Sequence, residues 1–299
     1  MSLLLALLLQ VGPDPMGGAM PSDDLVHARP PRENVVRADA QEQTEQQILN
    51  PTSTWLQSCL DQIGADPARA HTMAQIRRSQ TTGTDRVLAN HCLGTASSAL
   101  GLWDDARSAF LDARAETPAD ETRARARFGM MAGNAALASG DAAGALGLLG
   151  EAEGEARTAA SVPLQALAAM DRARALVALG REEEALAALD TATTLAPESA
   201  EGWLLKATLL RRLGQLEGAQ TAIEAAARLA PTSPDIGLEA GVIAVLTGRD
   251  EAARASWQSV IDLAAESDAA KQAKDYLVQL GPAQPSPAPT PATAQEPPA

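Results

Sequence analysis

Two cysteines, three histidines and a run of three glutamates are the residues of this sequence with types and spacing that suggest chemistry. His91 directly precedes Cys92, a pairing that invites a nucleophile or a metal ligand. Neighbours on a helix point about 100 degrees apart, so the two cannot easily share one ion. His71 and His27 add no zinc-type spacing. Glu182, Glu183 and Glu184 follow a glycine at what reads as the first turn of a helix, where carboxylates suit the dipole. No glycine-rich stretch runs into Lys-Ser or Lys-Thr, so a phosphate-binding loop is not expected. Without a nucleophile, base and oxyanion set, the chain reads as a non-enzyme with no cofactor and no metal.

The composition points the same way. Of 299 residues, 45% are hydrophobic but only 2% are aromatic, which leaves a core of Ala, Leu and Val and argues against a β-sandwich or barrel. A net charge of -14 argues against a nucleic-acid backbone as partner, and none is expected. Leu3 to Val11 is an uncharged run of nine residues, too short for a transmembrane helix, which needs about 20. Such a run suits the apolar part of a secretory signal over residues 1–19, with Gly17-Gly18-Ala19 as its small-residue cleavage site and no Lys or Arg in front. Residues 20–50 then read as a disordered leader. Residues 281–299 hold seven prolines in nineteen positions and read as a Pro/Ala-rich disordered tail.

Between these ends one pattern recurs five times: a glycine followed five residues later by alanine. The pairs are Gly101 and Ala106, Gly140 and Ala145, Gly180 and Ala185, Gly214 and Ala219, and Gly248 and Ala253. Successive glycines lie 39, 40, 34 and 34 residues apart. Seven positions before each stands a small residue: Gly94, Gly133, Ala173, Ala207 and Gly241. Four after each alanine stands a large apolar one: Phe110, Leu149, Leu189, Ile223 and Trp257. Each glycine is read as closing a first helix in a left-handed conformation. The small residues before and after it are expected to face each other across a helical hairpin, and the large one to plug toward the next unit. Pro118, Pro197 and Pro231 end second helices.

This pattern resembles the tetratricopeptide repeat, a helix–turn–helix unit of 34 residues. Leu93-Gly94, Gly101, Ala106, Phe110, Ala113 and Pro118 fit it in the first unit, and Trp203, Ala207, Gly214, Ala219, Ile223, Ala226 and Pro231 in the fourth. The family's tyrosine is replaced by Ser97, Ala136, Leu176, Leu210 and Ala244. The reading is an all-α solenoid of five repeats, at 87–120, 126–159, 166–199, 200–233 and 234–267. A divergent helix pair at 51–80 precedes them and a capping helix at 268–280 follows. The two wide spacings predict longer second helices or short loops near Asp120 and Thr158. The resemblance implies a right-handed superhelix whose first helices line a concave groove, binding a peptide or partner protein without intrinsic catalysis.

Within those first helices, residues three and four apart form a basic and apolar strip. Its candidate contacts are Arg127, Met130 and Asn134; Met170, Arg174 and Val177; Leu204, Thr208 and Arg211; and Leu238, Val242 and Val245. Such a strip would take an extended or helical segment carrying apolar and acidic residues, unless its arginines only solubilise it. The alternative use of the array is self-association as a structural spacer. Cys59 falls in the middle of the first helix of the pair at 51–80 and Cys92 in the first helix of the next unit, and since such helices pack side by side, a disulfide is geometrically reasonable. The other reading is two buried thiols acting as small hydrophobes. The signal segment, the cysteines and a composition rich in Ala and Arg with three lysines (Lys206, Lys271, Lys274) together suggest a bacterial cell envelope, periplasmic or secreted, rather than the cytoplasm.

Overall fold

The computed structural model describes residues 51–282. The expected signal segment, the leader and residues 283–299 of the tail lie outside the described residues. All regular structure among the described residues is helical. The helices pair as hairpins: α1 (Pro51–Ala65) with α2 (Pro67–Gln80), α3 (Thr84–Ala99) with α4 (Trp103–Glu116), and α5 (Thr122–Ala138) with α6 (Ala142–Thr158). There follow α7 (Val162–Ala178) with α8 (Glu182–Leu195), α9 (Ala200–Arg212) with α10 (Leu216–Leu229), α11 (Pro234–Leu246) with α12 (Asp250–Leu263), and the closing helix α13 (Asp268–Leu280). The described residues fall into two compact units, α1–α10 over 51–229 and α11–α13 over 230–282.

The wide glycine spacings are absorbed mostly by helix length. α5, α6 and α7 each run 17 residues, against 13 in α9 and α11. Lengthening therefore affects first helices as well as the second helix ending at Thr158. A short loop, Thr117 to Glu121, accounts for the rest near Asp120.

The first helix of each repeat stops through its glycine. At Gly140, φ is +88°, its N–H bonds the Leu137 carbonyl, and the next N–H, of Asp141, reaches back to Ala136 at 2.9 Å. Those two bonds satisfy carbonyls the helix would otherwise leave open. Asp141 then caps α6, its carboxylate accepting from the Gly144 N–H at 2.9 Å. The same pair of bonds ends α6, from Ala160 to Arg157 and from Ser161 to Ala156, but with alanine at φ +47°. A Cβ in that region is strained. Ala160→Gly is therefore expected to raise stability by about 1 kcal/mol, read as a higher urea midpoint with an unchanged slope.

Packing departs from the expected arrangement in one respect. In the three repeats whose small residue is glycine, the large residue lies first over that glycine in its own hairpin. A Cβ added at Gly94 would lie 2.5 Å from Cε1 of Phe110, and one at Gly133 would lie 2.7 Å from Cγ of Leu149. The glycines thus make room for a bulky side chain inside the hairpin, because a helix without a Cβ leaves a notch of that size. Phe110 also reaches Phe128 and Ala132 of α5, so it seals its own hairpin and the junction to the next. Ala106, Ala145, Ala185, Ala219 and Ala253 are all fully buried. Charged side chains staple successive second helices: Arg114 of α4 reaches Glu151 and Glu155 of α6, each at 2.8 Å.

In the second unit, Trp257 fills the notch at Gly241 and donates its Nε1–H to the Leu238 carbonyl at 3.1 Å. α13 closes the unit with Ala269, Ala270, Ala273 and Tyr276 inward and Lys271, Lys274 and Asp275 in solvent. Its start is capped by Ser267, whose Oγ accepts from the Ala270 N–H.

Candidate functional site

Within the first unit the first helices are linked side by side by their inner side chains. His91 of α3 meets Phe128 of α5 edge to face, with ring centroids 5.5 Å apart. Asn134 of α5 donates its Nδ2–H to Asp171 of α7 at 2.9 Å. Arg174, one turn on, pairs with Asp171 at 2.6 Å and also with Glu201 of α9. Asn134, Asp171, Arg174 and Glu201 therefore form one chain of polar contacts across three first helices.

The electrostatics follow from burial. Asp171 is 7% exposed, and burial pushes its carboxyl above the ordinary range, against the opposing pull of Arg174 and the Asn134 amide. Burial also works against the charge on Arg174, but Asp171 and Glu201 outweigh it and hold the guanidinium more firmly protonated than usual. Neither acid stood out in the sequence. Asp171 does end an apolar run, Ala166 to Met170, and stands three positions before Arg174, the two signals by which it could have been found.

The sequence-derived contacts divide into two sets. Arg127 is exposed, and Asn134, Arg174, Val177, Leu204 and Thr208 are half-buried, as side chains on an accessible strip would be. Met130 and Met170 are buried instead. Met130 packs with Leu164 and Ala168 of the next hairpin, and the Met170 sulfur lies near Ser199 and Gly202. Arg211 is buried as well. A first helix has neighbours on both flanks, so residues only three or four apart can turn from the open strip into a junction. In the second unit Leu238 and Val242 are buried with Trp257 and Tyr276, and Val245 is half-buried.

A regular feature emerges when the hairpins are aligned on their turn glycines. Six positions before the glycine stand Thr95, Asn134, Arg174 and Thr208, all hydrogen-bonding side chains and all half-buried. Apolar groups border them: Leu88, Leu137, Leu167, Val177 and Leu204 are half-buried too.

Cys59 of α1 and Cys92 of α3 are brought together, with Cα atoms 6.3 Å apart and both side chains fully buried beside Ala70, Ala74, Leu93 and Ala96. His71 and His91 join no group of metal-ligating side chains among the described residues. None of the described helices is long and apolar enough to cross a membrane.

The sequence profile of the tetratricopeptide repeat matches residues 130–200 and 204–277. No curated protein matches the sequence. Among solved structures, a thermophilic tetratricopeptide-repeat protein of Thermus thermophilus is similar over 64% of this chain and 99% of its own, at 23% identity and a TM-score of 0.53. A structure of Pseudomonas aeruginosa pilF is similar over 76% of this chain and 97% of its own, at 13% identity and a TM-score of 0.58. With helical hairpins turned on glycine and notched by small residues, the described chain is an all-α solenoid of repeats, and over residues 130–200 and 204–277 these are tetratricopeptide repeats.

Proposed function

We propose that this protein is a non-catalytic scaffold that holds a segment of another protein along the inner strip of α3, α5, α7 and α9, in a bacterial cell envelope. The row of Thr95, Asn134, Arg174 and Thr208 carries this reading. Thr95 bonds the His91 carbonyl, Asn134 and Arg174 bond Asp171, and the Thr208 hydroxyl is buried, so the row is a half-buried seam whose leucine and valine borders suit the apolar side chains of an extended segment. The acidic preference expected from the arginines is weaker than their number implied, because Arg174 is already paired with Asp171 and Glu201. The envelope reading, with a Cys59–Cys92 disulfide as part of it, is supported by the apolar run at 3–11 and by the adjacency of the two sulfurs.

Site-specific photocrosslinking in the native cell tests the strip. A crosslinker at Arg127 or Val177 is expected to trap a discrete protein adduct, whereas one at Glu183 on α8 or Glu224 on α10 is not. Equal trapping from both sets would refute the inner strip as the binding face. Adducts containing only this chain, with size growing with concentration, would favour the self-assembling spacer instead.

A further inference from the structure

The hairpin α1–α2 has fewer buried side chains than any other in its unit. Between Thr54 and Gln80 only Cys59, Ala70 and Ala74 are buried, whereas α3 alone buries eight residues. Trp55, Leu56 and Ile63 are half-covered. Trp55 packs under the Arg77 guanidinium at 4.7 Å, a contact inside the hairpin itself. The ion pairs that leave the hairpin, Arg77 to Asp85 at 3.2 Å and Arg78 to Asp112 at 2.6 Å, are partly exposed and hold little. A short turn with Gly83 at φ +61° connects α2 to α3. Among the described residues it has one neighbouring hairpin instead of two, and it packs there with Ala70 and Ala74 as its buried side chains beside Cys59, so the cysteine pair is its one covalent tie.

We propose that the Cys59–Cys92 bridge is a redox latch on this hairpin. While the sulfurs are joined, α1 and α2 stay docked on α3; when a dithiol reductant cleaves the bond, they open as a local unit and the rest of the array stays folded. A thiolate of the reductant attacks one sulfur and releases the other as a thiolate. The second thiol of the reductant then displaces the mixed disulfide. Two electrons and two protons pass to Cys59 and Cys92, and the reductant leaves as its cyclic disulfide. Both sulfurs are fully buried, so the attack waits on a brief local fluctuation that uncovers one sulfur of the still-bridged hairpin, and the rate of reduction follows that fluctuation. Opening removes α1 from beside α3 and leaves the α3 end of the inner strip without a neighbouring first helix.

The inference rests on the disulfide reading above, and one experiment separates the two. The full-length chain, prepared without reductant, is alkylated and weighed, and then compared by amide hydrogen exchange before and after dithiothreitol. Expected are no labelled thiols at first and, after reduction, roughly a hundredfold faster exchange in α1 and α2 with α5–α10 unchanged. The Cys59→Ser, Cys92→Ser double variant should exchange like the reduced protein. Two labelled thiols in the unreduced protein would overturn the disulfide and the latch together. A bridged protein whose α1 and α2 stay equally protected after reduction, or whose α5–α10 lose protection with them, would overturn the latch alone.

Discussion

Replacing Phe110 with alanine is expected to destabilise the protein by about 3–5 kcal/mol, measured as a lowered urea midpoint by far-ultraviolet circular dichroism. The ring is fully buried and contacts two helices: it fills the notch of Gly94 in its own hairpin and meets Phe128 and Ala132 in the next. The companion substitution gives the sharper test. Gly94→Ala alone should cost about 1–3 kcal/mol, because its Cβ collides with the ring. In the Phe110→Ala background the collision is gone, and alanine then favours the helix over glycine by about 1 kcal/mol. Gly94→Ala is thus expected to change sign between the two backgrounds. An equal cost in both would mean that the notch and the plug do not act as a pair.

The second large effect concerns the inner polar chain. Arg174→Met should lower stability by about 3–5 kcal/mol near neutral pH, because it leaves the Asp171 carboxylate buried with only the Asn134 amide for support. The loss should depend on pH with a definite sign. Burial has already raised the folded-state value of Asp171, and removing Arg174 raises it further. For an acid with a raised folded-state value, stability is highest below the unfolded value and falls as pH rises through the folded one. The Arg174→Met penalty should therefore shrink on acidification, and Asp171→Asn should recover most of it at neutral pH. Unfolding midpoints compared at pH 5 and pH 8 check this. A penalty that does not vary with pH would show that Asp171 is not the group left unpaired.

The two cases differ in how legible they were. Gly94 and Phe110 could be read as a small and a large residue at repeating offsets from a turn glycine, and the offset survives in all five repeats because each hairpin needs the same notch. Their contact within one hairpin was less legible: a single sequence does not say whether a plug faces its own unit or the next, and Phe110 does both. Met130 and Met170 were placed on the open strip by helical spacing alone, yet the neighbouring hairpin covers both. Spacing of three and four locates a face only to within the width of one side chain, and at a helix junction that width separates groove from core. Arg174 was identified, but not its partners. Glu201 lies 27 residues away on another helix, and nothing local to either residue connects them.

By itself the sequence determined the fold class, the repeat, the turn positions and the residues that notch and plug each hairpin. Those are set by local backbone preference and by steric fit at fixed offsets, both of which recur with the period. The tertiary structure decided which inner side chains remain accessible, that Arg174 is spoken for by two carboxylates, and that Cys59 meets Cys92. Apart from the Asp171–Arg174 pair within one helix, these depend on how neighbouring first helices lie against each other, a relation between residues about 30 or more positions apart that no local rule encodes.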